Sequence, residues 1–282
     1  MSIGPLAAGR NGVSVARPSG GMAMRRRAFI AALGGAAAGP LVARAQDTMR
    51  YLDLASPDMV SAEMTRADVE AALASQHTDF TGKRLSGLDL SGLDLSGVGL
   101  RAARLNRTRL IGAKLDRAIL DQAWLLDADL SHASLRKANI VAAQMQRAKL
   151  DGADLSGARI TADLTRASLV GTVLTGANLR ANDQSMGLMR AVLRSANLSG
   201  ANLQLADLSG ADLEFASLIT ADLTGASLRY ALLGGANLTG VTITGADFFG
   251  ADLASARLVN PIGFDAAKNF DQAINKDRLL HE

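Results

Sequence analysis

The sequence predicts an all-β solenoid, a four-sided β-helix closed by short α-helical caps, and three observations carry that prediction. An apolar residue returns at every fifth position over most of the 282-residue chain. The position two before it is almost always Ala. Aromatic residues make up only 4% of a chain that is 48% apolar, so the interior must be narrow and filled by small, uniform side chains.

The five-residue series begins at Phe80 and runs through Leu85, Leu90, Leu95 and Leu100 to Ile160. On an α-helix, five residues advance the chain by roughly 500°, so successive leucines would precess and share no face. On a flat strand an odd spacing alternates sides, and half of them would meet water. A square coil satisfies the pattern: five residues make one side, each central Leu points to the axis, and four sides complete a turn of 20 residues. The small column, including Ala103, Ala113, Ala118, Ala123 and Ala128, also faces inward, where a neighbouring Leu leaves room for little more than a methyl group. Asp or Asn sits between the two and points out. Gly and polar residues at the end of each unit suit the corners.

The units Ala153-Asp154-Leu155-Ser156-Gly157, Ala196-Asn197-Leu198-Ser199-Gly200 and Ala221-Asp222-Leu223-Thr224-Gly225 resemble the A-[D/N]-L-x-x pattern of the pentapeptide-repeat family. The resemblance implies a right-handed quadrilateral β-helix. Phased centres number 36, of which 30 are Leu, and predict nine coils stacked at ~4.8 Å into a rod of roughly 43 Å. Two breaks interrupt the phase. Ile160 to Leu164 is one residue short, and Leu179 to Leu188 encloses Arg180 to Gly187, with Gln184 where a centre would fall. An unpaired amide at the axis is costly, so this stretch is expected to bulge outward, with Asn182, Asp183 and Gln184 as candidate partner-binding residues on a loop over a rigid scaffold.

An open coil end exposes apolar side chains and unpaired backbone, so both ends need lids. Ser56-Pro57 starts a helical turn, and Thr65 with Asp68 forms a capping-box pattern ahead of a helix ending near Ser75. At the other end Pro261 halts the repeat, and Phe270 and Ile274 at helical spacing predict a second helical cap. Ahead of these, Met24-Arg25-Arg26-Arg27, the apolar stretch Phe29 to Val42, and Ala43-Arg44-Ala45 have the order of a secretory signal. Arg26-Arg27-Ala28-Phe29-Ile30 resembles the bacterial twin-arginine export motif. The expected organisation is a leader over 1–45, a helical cap over 46–77, the β-helix over 78–260 and a C-terminal cap over 261–282, with cleavage near Ala45 giving a periplasmic or secreted product. Membrane attachment would come only through an uncleaved leader.

The leader holds six Arg and no acid; without it 24 basic residues face 27 acidic ones, so the basic balance belongs mostly to the leader. There is no Cys, and His77, His132 and His281 lack metal-ligand spacing. No catalytic, cofactor or metal residue, and no small-molecule substrate, is therefore expected. Between residues 78 and 258, 19 basic residues nearly balance 17 acidic ones, with a basic start and an acidic finish. Asp89, Arg109, Asp129 and Lys149 alternate in sign at a spacing of 20, as stacked columns would. Outward apolar residues are few. Ile119, Trp124 and Leu126 form the first-choice binding cluster, because Trp is enriched in hot spots; Phe215, Tyr230 and Phe249 come later. These features predict a non-enzymatic exported scaffold for an unknown protein or envelope partner. The family resemblance also implies, as the alternative, a DNA mimic protecting a topoisomerase, and pairing of two copies through one end. The balanced charge and the leader argue against the mimic and against nucleic acid as partner.

Overall fold

The computed structural model describes residues 53–181 and 190–280. The expected leader over 1–45, with its export-motif pattern, lies outside them, as do Asn182, Asp183, Gln184, Leu188 and His281. Residues from Asp53 onward form one compact unit.

That unit is a four-sided coil. The residue before each inward centre pairs in parallel with its counterpart one turn on. The first side stacks Asp79, Gly99, Ile119, Asn139, Arg159, Asn178, Asp207, Ser227, Asp247 and Lys268. The second stacks Arg84, Arg104, Trp124, Gln144, Asp163, Val192, Asp212, Leu232, Asp252 and Ile274. The third runs from Asp89 through Arg109, Asp129, Lys149, Ser168, Asn197, Ser217, Asn237 and Arg257 to Leu280, and the fourth from Asp94 to Ile262. Each rung is held from both directions: Leu110 N donates to Asp129 O at 2.6 Å, and Asp129 N to Thr108 O at 2.9 Å. Only two sides extend into strands, β1 (Asn139–Gln144) and β2 (Arg159–Asp163), which pair in parallel.

The interior is the predicted one. Centres such as Leu110, Leu130 and Leu208 and the alanines between them are fully buried in one continuous core. Burial of each Leu contributes roughly 1.5–3 kcal/mol before chain entropy is subtracted, so stability is spread along the coil. Thr108 and Thr172 replace Ala in the small column, and each donates its buried hydroxyl to a Leu carbonyl, Leu85 O and Leu150 O, at 2.9 Å.

At the corners the backbone turns left-handed, with Gly92 at φ 72° and Arg107 at 56°. This conformation costs a non-glycine residue about 1–2 kcal/mol, and along the body of the coil the corner amides are engaged by the next turn, as Arg107 N is by Leu126 O at 2.8 Å. The outward Asp and Asn side chains are more than the solvent decoration the sequence suggested. Asp154 Oδ1 accepts from Ser156 N at 2.9 Å, Asn202 Oδ1 from Gln204 N at 3.0 Å and Asp222 Oδ1 from Thr224 N at 2.9 Å. They satisfy the amide two residues on that the turn leaves without a backbone partner.

The N-terminal cap forms as the sequence indicates. Helix α1 (Pro57–Val60) follows Ser56, and α2 (Arg66–Ala74) has the complete Thr65–Asp68 capping box. Val69 joins the core, Ala62 bridges Leu85 in antiparallel sense, and Arg66 donates to Asp89 O and Ser91 O on the first coil. Asn106, also buried, clamps this cap by donating to Met59 O at 3.0 Å while accepting from Leu126 N at 3.0 Å.

The C-terminal helical cap does not form. Residues past Pro261 continue the ladder, through Asp247–Lys268, Asp252–Ile274 and Arg257–Leu280, with short 3-10 turns at Phe264–Ala266, Phe270–Gln272 and Lys276–Arg278. Left-handed Gly263, Asn269 and Asn275, six apart, set a six-residue side. Phe270 instead packs on Phe248 and Phe264 at ring distances of 5.3 and 4.8 Å. Three corner formers in eighteen residues override the helical spacing of Phe270 and Ile274.

Both phase breaks fall on one line. Bridge partners are 19 apart where a residue is missing, as in Arg159–Asn178, and 29 apart across the long interruption, as in Asp163–Val192. The missing residue lies between Arg159 on the first side and Asp163 on the second; the nine extra lie between Asn178 on the first and Val192 on the second. Deletion and insertion are stacked, one coil apart, on the edge joining those two sides. Because Val192 follows Asn178 on the next side, the described centre that follows Leu179 is Leu193, and the expected centre Leu188 lies outside the described residues.

Candidate interaction edge

The edge between the first and second sides gathers several departures from the repeat. Ile119 on the first side and Trp124 on the second flank it, both half-buried. Between them Asp121 pairs with Arg101 at 3.3 Å and accepts from Val141 N at 3.2 Å. The shortened corner above holds Thr161, whose buried hydroxyl has no hydrogen-bond partner. Then comes the insertion. Further along the same edge, Arg229 lies over the Phe249 ring at 4.5 Å and the Tyr230 ring at 5.9 Å, and the two rings meet edge to face at 5.4 Å.

Arg229 Nη1 also donates to Asp247 Oδ2 at 2.8 Å, and Asn269 Nδ2 to Asp247 Oδ1 at 2.8 Å. Burial alone would raise the Asp247 pKa, but these bonds outweigh it and hold the carboxyl below its ordinary range. The hydrogen bond to Asp247 raises Arg229 in turn. This cluster is a fixed, charged-aromatic surface: the guanidinium is held by a carboxylate on one side and a ring on the other. The sequence reading picked out Tyr230 and Phe249 but missed Arg229, although residues 229 and 249 stand 20 apart and so must stack.

Of the first-choice cluster, the structure places Ile119 and Trp124 on adjacent sides flanking one edge and puts Leu126 at another. Leu126 belongs to the next corner, where it is only 7% exposed and its amide is held by Asn106. The Asn106 side chain draws that corner toward the cap, closing what would otherwise be an outward position. The largest apolar exposures lie elsewhere, at Leu205 (69%) and Phe215 (63%). Each covers a glycine one coil on, and these glycines have left-handed backbone. A Cβ on Gly235 would stand 2.6 Å from the Phe215 ring, and one on Gly225 2.9 Å from Leu205. His132 covers Gly152 in the same manner, which gives it a packing role.

The charges pair along columns. Arg101–Asp121, Arg109–Asp89, Lys114–Asp94, Arg136–Asp116 and Arg147–Asp127 are each separated by one turn of 20, at 3.3, 3.3, 3.7, 2.5 and 2.7 Å. Ladder geometry thus accounts for much of the basic N-terminal half. Among the described residues, no group of three or more His, Asp or Glu could hold a metal ion, and no helix is long and apolar enough to cross a membrane.

A filled coil of five-residue sides, with a decorated surface and its inward positions given over to packing, defines a solenoid of the interaction-scaffold class. Eight copies of the pentapeptide repeat match residues 94–127, 125–161, 162–183, 188–225 and 216–254, more than half of the sequence, and the chain belongs to the pentapeptide repeat family. Among solved structures it is similar to HetL, a pentapeptide repeat protein involved in heterocyst differentiation regulation from the cyanobacterium Nostoc sp. strain PCC 7120. The two are 30% identical over 78% of this chain and 100% of HetL, with a TM-score of 0.41. QnrB1, a plasmid-mediated fluoroquinolone resistance protein, is 21% identical over 69% of this chain and 84% of its own, with a TM-score of 0.33. A pentapeptide repeat protein from the Arabidopsis thaliana thylakoid lumen is 27% identical over 44% of this chain and 66% of its own, with a TM-score of 0.28. No curated protein matches the sequence.

Proposed function

We propose that this chain is an exported, non-enzymatic scaffold, a right-handed quadrilateral rod that docks a protein or envelope partner along the edge between its first and second sides. The family supports the scaffold and its winding; the leader sequence supports export. One observation carries the choice of edge: Ile119, Trp124, both phase breaks and the Arg229–Phe249–Tyr230 cluster share it. Independent departures from the repeat have no packing reason to align, whereas a partner lying along the rod would select them together. The DNA-mimic reading needs a continuous acidic face, and the alternating columns do not supply one.

Two measurements test this. Fractionation of the native host with N-terminal sequencing of the mature form should recover protein outside the cytoplasm and beginning near Gln46; full-length protein in the cytoplasm overturns export. Affinity capture with the mature chain should lose its specific partner on Trp124→Ala while the Lys149→Ala control on the third side retains it. Equal recovery by both variants overturns the choice of edge.

A further inference from the structure

The neighbouring edge, between the fourth and first sides, carries a second site. There, a cleft of about 550 Å³ is lined by Ser96, Gly97, Asp116, Arg117, Arg136 and Lys137. Arg117 and Lys137 are consecutive residues of one corner column, about 4.8 Å apart along the coil axis, and both are exposed. Elsewhere in the basic half, one member of each stacked pair of cations meets an acid. Arg84, above Arg104, pairs with Asp58 and Glu63, and Arg147, above Arg166, pairs with Asp127. At the cleft, the one carboxylate is already engaged. Asp116 takes Arg136 Nη2 at 2.5 Å and the Ser134 hydroxyl at 2.5 Å. Neither the Arg117 nor the Lys137 side chain makes an ion pair or a hydrogen bond within the described residues. The corners on either side of them in the column are Gly97 and Gly157, so nothing shields the pair from above or below.

Like charges stacked directly opposite are destabilising, and here two stand over a concave wall whose third cation, Arg136, is already paired with Asp116. We propose that this cleft binds a phosphoryl group, with Arg117 and Lys137 supplying the charge and the fork of Arg117 the directional hydrogen bonds. A dianionic tetrahedral head group matches two adjacent cations; a single carboxylate would leave one unpaired. The phosphoryl group can come from a free phosphate compound or from a phospholipid head group on a membrane surface. The site is independent of the partner edge proposed above.

The test uses the mature chain and the double variant R117Q/K137Q. Gln122 already occupies a corner of the same kind at φ 59°, so glutamine is compatible with the backbone. Removing the repulsion should leave the variant at least as stable as the parent without ligand, whereas a merely structural pair would lower its Tm. Pyrophosphate at roughly ten times its Kd, against sodium chloride of matched ionic strength, should raise the parent's Tm by about 3–6 °C and leave the variant unmoved. Sedimentation with phosphatidylcholine vesicles, with and without phosphatidic acid, whose phosphomonoester head group can carry two charges, reads the lipid source. A difference between parent and variant in the pyrophosphate arm assigns a soluble ligand, and one in the vesicle arm alone a membrane surface. Parent and variant behaving alike in both arms, or R257Q on the third side losing as much as the double variant, overturns the site.

Discussion

The second and third sides rest on the same inward architecture and differ almost entirely outside. Behind each stands an unbroken wall of buried centres, Leu125 behind Trp124 and Leu130 behind Asp129. The third side then shows only polar or charged residues from Asp89 to Arg257, several in alternating sign. The second shows Trp124, Val192 and Leu232 among its polar residues and borders the edge where the chain gains and loses residues. The inward column decides that a coil forms and has no influence on what it carries. Function in such a molecule lies in departures from the repeat, and the departures here have a side.

The largest effect should show no side at all. Leu125→Asp and Leu130→Asp place an unpaired carboxylate at the axis, and both should abolish the cooperative unfolding transition seen by circular dichroism, because a buried charge without a partner costs far more than a few kcal/mol. Leu125→Ala and Leu130→Ala should each cost about 2–5 kcal/mol, the range for buried large-to-small changes. A Leu125 variant losing much less than its Leu130 counterpart would show that the second side is packed loosely for its own purpose, which would break the comparison.

Outward substitutions should separate the sides by binding and scarcely by stability. A smaller effect again is expected at the glycine floors. Gly235→Ala puts a methyl group on a left-handed residue at φ 66° and against the Phe215 ring, and should cost about 1–2 kcal/mol for the backbone alone. The exposed ring can swing aside, so Phe215→Ala in the same chain should recover only a few tenths of a kcal/mol. Full recovery would mean that the ring, rather than the backbone, makes glycine necessary there.

Much of this was readable from the sequence, for physical reasons that also set its limit. Leu at every fifth position admits one geometry, and the Thr65–Asp68 box is local chemistry within four residues; both appear as expected. The C-terminal end misled because Phe270 and Ile274 satisfy a helical spacing, while the residues that decided the outcome, Gly263, Asn269 and Asn275, repeat with a period of six over too short a stretch to stand out. Leu126 misled because the residue that buries it, Asn106, lies a full turn away and answers to the cap. The alignment of the two phase breaks was legible in principle, since sides can be counted along the chain, but only after recognising that the nine extra residues enter between Asn178 and Val192. The pairing of Arg229 with Phe249 followed from the same arithmetic of twenty.

The smallest effect concerns the column charges, and it distinguishes pairs that hold the coil from pairs that merely coincide. Hydrogen bonds from Arg136, above all, and from Ser134 depress the Asp116 carboxyl from its ordinary 3.8 to about 2, outweighing its desolvation. A carboxyl depressed in the folded state contributes stability that is fully present above its unfolded pKa and is lost as pH falls through the folded one. Wild type should therefore lose this contribution between about pH 4 and pH 2, and Asp116→Asn should show a shallower fall over that window in denaturant titrations at stepped pH. Arg109→Gln, breaking a third-side pair whose two side chains are about half exposed, should leave the acid slope nearly unchanged, because exposed pairs are worth little. If the two variants flatten the slope equally, burial of the acid does not decide which column pairs matter, and the third side's alternating charges would have to be counted as part of what holds the coil together.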